Sequence, residues 1–386
     1  MHLVRLVGAS WKIILLLSNV EDWMVLWDDR YKWHLNNFVV SLIVGCQNFF
    51  WHWRSGSEQK MILNTRQKYQ MWRALDHFVG GKSPARRYEA KRHQLMPSLD
   101  LSKKPVKPIP VRRDISDAEF IEQYVRRAQP VVLKGRASEW PCVQEWSMDW
   151  LRDNYGEDKV DIFDPLDSTS NRVNNDVEVT TLSAVLDAME KGDVSKYSRF
   201  NRLLYDHPDL VDHFDWQWLR RMRSPWSSGK TFQVFIGGKG TRTSLHCAGE
   251  HNLFTQVHGR KHWYFVEPRA DIWLRPPVTR TPYFYSLFNP EKPDFDSHPG
   301  MAVTQVWECT LESGDVLFNP PFWWHQVHNV TPSIGVGFRW FDLIDNLKSS
   351  PMGTALTLLA TNPPIWTATK HRANFAAIFK RMKSQP

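Results

Sequence analysis

The stretch from Gly314 to Asn329, GDVLFNPPFWWHQVHN, contains the pattern that decides the fold. A Gly-Asp turn leads into the short apolar run Val316 to Phe318, and Pro320-Pro321 ends that run before a second one begins. Short apolar runs separated by turn residues are typical of an all-β sandwich or jelly roll. In such a fold the second run presents His325 to the interior. His325 is therefore the first candidate for a functional residue.

Further strand-like runs lie elsewhere in the chain. Most are rich in Val, Ile, Phe, Trp and Thr and are bounded by Gly, Pro or Asn, a composition that favours strands. These runs cover residues 130–133, 231–236, 253–257, 262–266 and 334–340. A first helix is predicted to open at residues 114–120, with a Ser116 cap and with Phe120, Ile121 and Tyr124 at helical spacing. Two more helices are predicted over 147–155 and 182–189. The sequence therefore predicts a mainly β fold with flanking helices, of the sandwich or jelly-roll type.

Four zones follow one another along the chain. Residues 1–81 are predicted to be a helical, Trp-rich N-terminal segment of unknown role, which ends at Gly80-Gly81. A basic, Pro-containing linker (82–110), one long domain (111–341) and a C-terminal helical tail (342–386) follow. The longest apolar stretch, Phe38 to Cys46, is well under the ~20 residues that a membrane-spanning helix needs. No transmembrane span is therefore expected.

Composition narrows the functional classes. The chain has 386 residues, 42% of them hydrophobic, and a net charge of +8. Because basic and acidic residues are interleaved along most of its length, the charge alone does not indicate a nucleic-acid surface, and no nucleic-acid motif is present. The four cysteines lie far apart without a CxxC pair. This spacing argues against a zinc knuckle or a dense disulfide framework and favours a reducing, intracellular location, cytoplasmic or nuclear.

A second informative stretch runs from Gly240 to Gly259, GTRTSLHCAGEHNLFTQVHG. Residues two apart on a strand face the same side, so a metal site in a barrel interior needs ligands at positions i and i+2. His246 occupies the first position. Ala248 occupies the second, and its methyl group cannot donate to a metal.

The two stretches resemble the two conserved motifs of cupins. The matching positions are Gly240, His246, Asn252 (at the usual Glu place), Gly259, Gly314, Pro320, His325 and Asn329. Residues 243–263 resemble more closely the JmjC-like, cupin-8 group, which includes the asparaginyl hydroxylase of hypoxia-inducible factor. This resemblance extends over about Val111 to Phe341. It implies a double-stranded β-helix, the jelly roll of cupins, and an oxygenase that depends on Fe(II) and 2-oxoglutarate.

The resemblance also assigns the metal site. His246 matches the first iron ligand and His325 matches the last, whereas Ala248 stands where the group has Asp or Glu. The nearest acid is Glu250, which would reach the metal only if the chain turns sharply after Ala248. His328 is a further histidine whose role the pattern leaves undecided.

Three positions match the cosubstrate site of the group. Lys261 matches the lysine that pairs with the distal carboxylate of 2-oxoglutarate, and Thr243 matches a hydroxyl that binds the same carboxylate. Asn252 matches a polar residue near the cosubstrate. An ammonium group that meets an anion in a mostly apolar barrel is the physical basis of the lysine contact.

Three interpretations follow. The chain is a hydroxylase-type oxygenase with an atypical two-His iron site, a halogenase-like protein with chloride at the Ala248 position, or a catalytically inactive cupin that acts as a binding or scaffold module. The substrate of the first would be a protein side chain or a small molecule. A C-terminal helix that carries Phe375 and Phe379 could form a homodimer surface, as in the asparaginyl hydroxylase relatives.

Overall fold

The computed structural model describes residues 57–79, 82–99, 102–162, 178–225, 227–278 and 283–360. Its helices are α1 (Ser57–Val79), α2 (Lys82–Leu95), α3 (Asp117–Phe120), α4 (Pro141–Glu145), α5 (Met148–Tyr155), α6 (Leu182–Glu190), α7 (Leu203–Asp206), α8 (Trp216–Arg221), α9 (Asp271–Leu274), α10 (Leu343–Ser349) and α11 (Pro351–Leu358). Its strands are β1 (Lys107–Pro108), β2 (Val111–Arg112), β3 (Val131–Leu133), β4 (Lys159–Ile162), β5 (Glu178–Thr181), β6 (Tyr197–Asn201), β7 (Ser228–Gly237), β8 (Arg242–Ala248), β9 (His251–His258), β10 (Lys261–Val266), β11 (Tyr283–Tyr285), β12 (Val306–Leu311), β13 (Val316–Asn319), β14 (Trp324–Asn329) and β15 (Ser333–Phe341).

Two large sheets make up the centre of the domain. One has the strand order β1-β12-β10-β14-β8-β11 and the other β2-β3-β13-β9-β15-β7-β6. The long neighbouring strands of both sheets pair antiparallel. A hydrophobic cluster joins Phe235 and Phe254 of one sheet to Trp263 and Val327 of the other. The predicted jelly-roll fold with flanking helices is confirmed.

Helices α3 to α8 cover the outer face of the seven-stranded sheet. Their side chains form one cluster with β7, β9, β13 and β15, in which Phe120 packs edge-on against Phe318. Local capping starts two of these helices where the sequence predicts them. The Ser116 hydroxyl accepts from Glu119 N and the Ser147 hydroxyl accepts from Trp150 N. Because strand β9 is covered on both faces, nearly all of its residues are buried.

The segment predicted to be a basic, Pro-containing linker begins with a helix. Residues 82–95 form α2. The prolines that favour extended chain lie after this helix, at 105–110, so the segment before them is free to be helical. Leu95 of α2 packs with Tyr69 of α1 and Ile272 of α9, and this buried contact stabilises the helix.

Some predictions fall on other parts of the chain. Most of the N-terminal segment and the helix predicted around residues 370–382, with its dimer surface, lie outside the described residues. Among the helices that are described, none is long and apolar enough to cross a membrane.

Candidate active site

A cavity lies between the two sheets. Strands β8, β10, β11 and β14 line it from one sheet, and β6, β7, β9 and β15 line it from the other. Its apolar wall includes Phe254 and Trp263, and its polar side chains include both motif histidines. The interior of the jelly roll is therefore the place where the sequence motifs converge.

His246 and His325 are direct cross-strand neighbours on β8 and β14. Their ring centroids lie 4.3 Å apart. In each ring Nδ1 donates to a backbone carbonyl, from His246 to Ser244 at 2.7 Å and from His325 to Trp323 at 2.9 Å. This tautomer leaves the lone pair of each Nε2 available to a metal, and carbonyl anchoring of the other nitrogen is typical of metal-binding histidines.

Burial keeps both rings neutral. It lowers the pKa of His246 to about 4, and it lowers the pKa of His325 well below the usual value, with a further contribution from His246. A neutral imidazole is the form that binds a metal, so the site needs no proton release before binding at pH 7.

The third position of the expected metal site has no donor. Ala248 lines the cavity, and Glu250 instead pairs with Arg339, its Oε2 lying 3.3 Å from Nη1. Within the described ranges no group of three His, Cys, Asp or Glu side chains could hold a metal ion. The described part of the cavity thus offers two histidine nitrogens and no carboxylate, one protein ligand fewer than a two-His, one-carboxylate site.

Lys261 is fully buried on β10 and lines the same cavity. Its Nζ donates to Asn329 Oδ1 at 2.6 Å and lies 5.8 Å from the centre of the Tyr197 ring. No ion pair joins it to a carboxylate in the part of the chain that the structure describes. Burial accordingly lowers its pKa to about 7. A buried ammonium without a carboxylate is suited to an anionic ligand.

Thr243 lines the cavity although it lies three residues before His246. In a regular strand, residues three apart face opposite sides. Here the pairing of β8 with β14 shifts register, so that His246 opposes His325 and Thr243 opposes Val327. The extra residue is a β-bulge, and it turns both side chains inward. The Thr243 hydroxyl accepts from Val327 N at 3.2 Å and keeps its own proton to donate.

The cavity does not include every residue that the sequence singles out. Asn252 is buried on β9 but does not line the cavity, and neither of its amide atoms has a hydrogen-bond partner among the described residues. His328 is half-buried, outside the cavity, with its Nδ1 3.5 Å from Glu291. These two residues and Glu250 are not brought to the paired histidines.

Sequence reasoning missed four polar side chains in the cavity, Tyr197, Arg199, Tyr283 and Arg339. One of them had a signal. Arg339 interrupts the otherwise apolar run from Ile334 to Trp340, and an arginine in a buried strand is rarely without a partner or a ligand. Tyr197 and Arg199 of β6 had no such signal in the sequence. Their strand reaches the cavity only because it pairs with β7.

Known proteins share this domain. Residues 117–346 match the family model of the Cupin-like domain. The human bifunctional peptidase and (3S)-lysyl hydroxylase JMJD7 is 26% identical over 269 residues, which are 60% of this chain and 83% of the relative. The lysine-specific demethylase 8 of Xenopus tropicalis is 25% identical over 223 residues, which are 57% of this chain and 50% of the relative.

A third relative is named for tRNA wybutosine synthesis. The mouse tRNA wybutosine-synthesizing protein 5 is 24% identical over 255 residues, which are 60% of this chain and 78% of the relative. The chain thus spans about half the length of the demethylase and about four fifths of the other two. The family match covers more than half of the chain and contains both histidines, Lys261 and Thr243. The chain belongs to the Cupin-like domain family and is a JmjC-like cupin protein.

Proposed function

We propose that this protein is an Fe(II)- and 2-oxoglutarate-dependent oxygenase of the hydroxylase type, with an atypical two-His metal site. One observation carries the proposal. A pair of neutral, anchored histidines and a fully buried lysine without a carboxylate partner line one cavity. A protein with only a structural barrel has no reason to bury an unpaired ammonium there.

Each residue has a part in this proposal. His246 and His325 would hold the iron through Nε2, and Lys261 and Thr243 would bind the distal carboxylate of 2-oxoglutarate. Phe254 and Trp263 are buried and give this cavity an apolar wall. Iron and 2-oxoglutarate are typical of the family, and when bound they supply the oxidising chemistry. The substrate would be a protein side chain or a small molecule.

The direct test is an anaerobic titration of the purified protein with ferrous iron and 2-oxoglutarate. We expect the weak visible charge-transfer band of their chelate in the wild type and its loss in His246→Ala and His325→Ala. His328→Ala is the matched control, because it removes a histidine from the same strand as His325 but outside the cavity. Absence of the band in the wild type would support the inactive, binding-module interpretation.

Ala248 favours a second candidate, a halogenase-like iron site with chloride. Ala248 lines the cavity at the position where the resemblance expects a carboxylate, and Arg199, Lys261 and Arg339 line the same cavity. Under this proposal the chelate band shifts when chloride is added. A spectrum that is the same with and without chloride would reject the halogenase-like site and leave the hydroxylase.

A further inference from the structure

The wall of the cavity carries positive charge only. Arg199, Lys261 and Arg339 line it, and no Asp or Glu does so among the described residues. Ferrous iron and 2-oxoglutarate carry opposite charges of equal size, so their binding leaves this excess unchanged. The charge stays positive when Arg199 is left out of the count. Lys261 and Arg339 then carry two positive charges, against the one negative charge of Glu250, which pairs with Arg339. A low-dielectric cavity with such an excess favours a further anion.

Arg339 is the side chain placed to receive that anion. It lies on β15, is 8% exposed, and donates a hydrogen bond from Nη1 to Glu250. Its Nε is buried and makes no hydrogen bond within the described part of the chain. Arg339 lines the same cavity as His246 and His325, and its ion-pair partner Glu250 follows Ala248 by two residues, so the guanidinium lies near the end of β8 that carries Ala248.

Two features of the cavity complement each other chemically. Ala248 offers no donor beside the histidines, and the guanidinium of Arg339 lines the same cavity with its Nε unbonded among the described residues. A carboxylate on a ligand fits both, because a guanidinium binds a carboxylate through charge-assisted hydrogen bonds. The anionic group that the chain lacks would then come from the ligand.

We propose that the substrate carries a carboxylate group, which binds Arg339 beside Ala248. This inference rests on the proposed function only in calling the ligand a substrate. The cavity would bind the same carboxylate without turning it over. The residue Arg339 positions the ligand, and the neighbouring Glu250 limits how strongly it does so by competing for the guanidinium. Replacing Arg339 should therefore weaken ligand binding, and replacing Glu250 should strengthen it.

The experiment uses protein loaded with zinc, a diamagnetic divalent ion that stands in for ferrous iron, and with saturating 2-oxoglutarate. Propionate is the probe, and its binding is followed by saturation-transfer NMR. Propionamide is the uncharged probe of the same shape. We expect propionate to bind and propionamide not to bind. Arg339→Gln should weaken propionate about tenfold or more, Arg339→Lys should retain part of the affinity, and Glu250→Gln should strengthen it. Arg260→Gln, which removes an exposed arginine outside the cavity, should change nothing.

The outcomes separate this inference from the proposed function. If the wild type fails to bind 2-oxoglutarate, the oxygenase proposal fails, and propionate binding by the Lys261→Met variant still tests Arg339. Equal binding of propionate and propionamide would overturn the inference. So would a loss of affinity in Glu250→Gln, which indicates that the ion pair merely holds the cavity in shape. Displacement of propionate by chloride, seen as broadening of the chloride-35 resonance, would assign Arg339 to a free halide instead.

Discussion

Removing the charge of Lys261 should raise the stability of the fold and abolish ligand binding. Its ammonium is fully buried, and Asn329 is its hydrogen-bond partner rather than a carboxylate. Lys261→Met removes the buried charge and keeps the apolar stem, while Asn329 Oδ1 still accepts from Ser333. We expect a melting temperature several degrees higher and no measurable 2-oxoglutarate affinity by calorimetry. Lys239→Met, at an exposed position, is the control.

The same lysine predicts two pH dependences of opposite sign. Burial lowers its pKa to about 7 in the folded chain, whereas an unfolded chain keeps a value near 10. Between these values the unfolded state binds more protons, so the lysine's contribution makes the fold more stable as pH rises. Its cationic form is lost over the same range. Affinity for 2-oxoglutarate should therefore fall by up to about tenfold per unit above pH 7. A flat profile from pH 6 to 9 would contradict the assignment.

Ala248 gives a test of the metal site itself. Ala248→Asp places a carboxylate beside His246 on the cavity side of β8 and should tighten ferrous iron on the order of tenfold or more. Ser244→Asp adds the same charge outside the cavity and should leave iron affinity unchanged. The measurement is iron affinity together with thermal melting. Loss of stability without iron binding in Ala248→Asp would favour the scaffold interpretation.

At the scale of the element, the bulge in β8 decides which side chains share the cavity. Without the register shift, Thr243 and His246 would face opposite sides of the sheet. Thr243→Val keeps the shape but removes the acceptor for Val327 N. We expect unfolding free energy to fall by about 1–3 kcal/mol and 2-oxoglutarate affinity to fall with it. Thr243→Ser should restore both, because it keeps the hydroxyl.

At the scale of the whole molecule, α1 is attached to the domain through a few polar contacts. Asp271, the first residue of α9, accepts from Arg66 at 3.1 Å and from Gln70 at 3.4 Å. Further along α1, the ring of His77 lies 3.1 Å from the carbonyl of Leu359, just after α11. These contacts and the buried ring of Tyr69 keep a long helix against the outside of the jelly roll.

Asp271→Ala should loosen this attachment without unfolding the barrel. We expect amide hydrogen exchange in α1 to accelerate about tenfold, because two hydrogen bonds to a charged group are lost. Exchange in β9, which is buried on both faces, should not change. The control is Asp296→Ala, at an exposed position in the loop before β12. Equal exchange rates in both variants would show that apolar packing alone holds α1.

The sequence by itself determined the strands of the jelly roll, because turn residues end each apolar run. It also singled out His246 and His325, through the resemblance of their two stretches to the cupin motifs. Ser116 likewise started its helix where the cap predicts.

Tertiary structure decided the rest. Strand pairing created the bulge that brings Thr243 inward, and the crossing of the second sheet brought Arg339 and the β6 side chains to the cavity. The ion pair with Arg339 held Glu250 away from the histidines, an outcome set by contacts between β15 and the turn after β8. Such contacts join residues about ninety positions apart, and no local pattern records them. The physical reason is that a strand's sequence fixes its own faces but not its partner or its register.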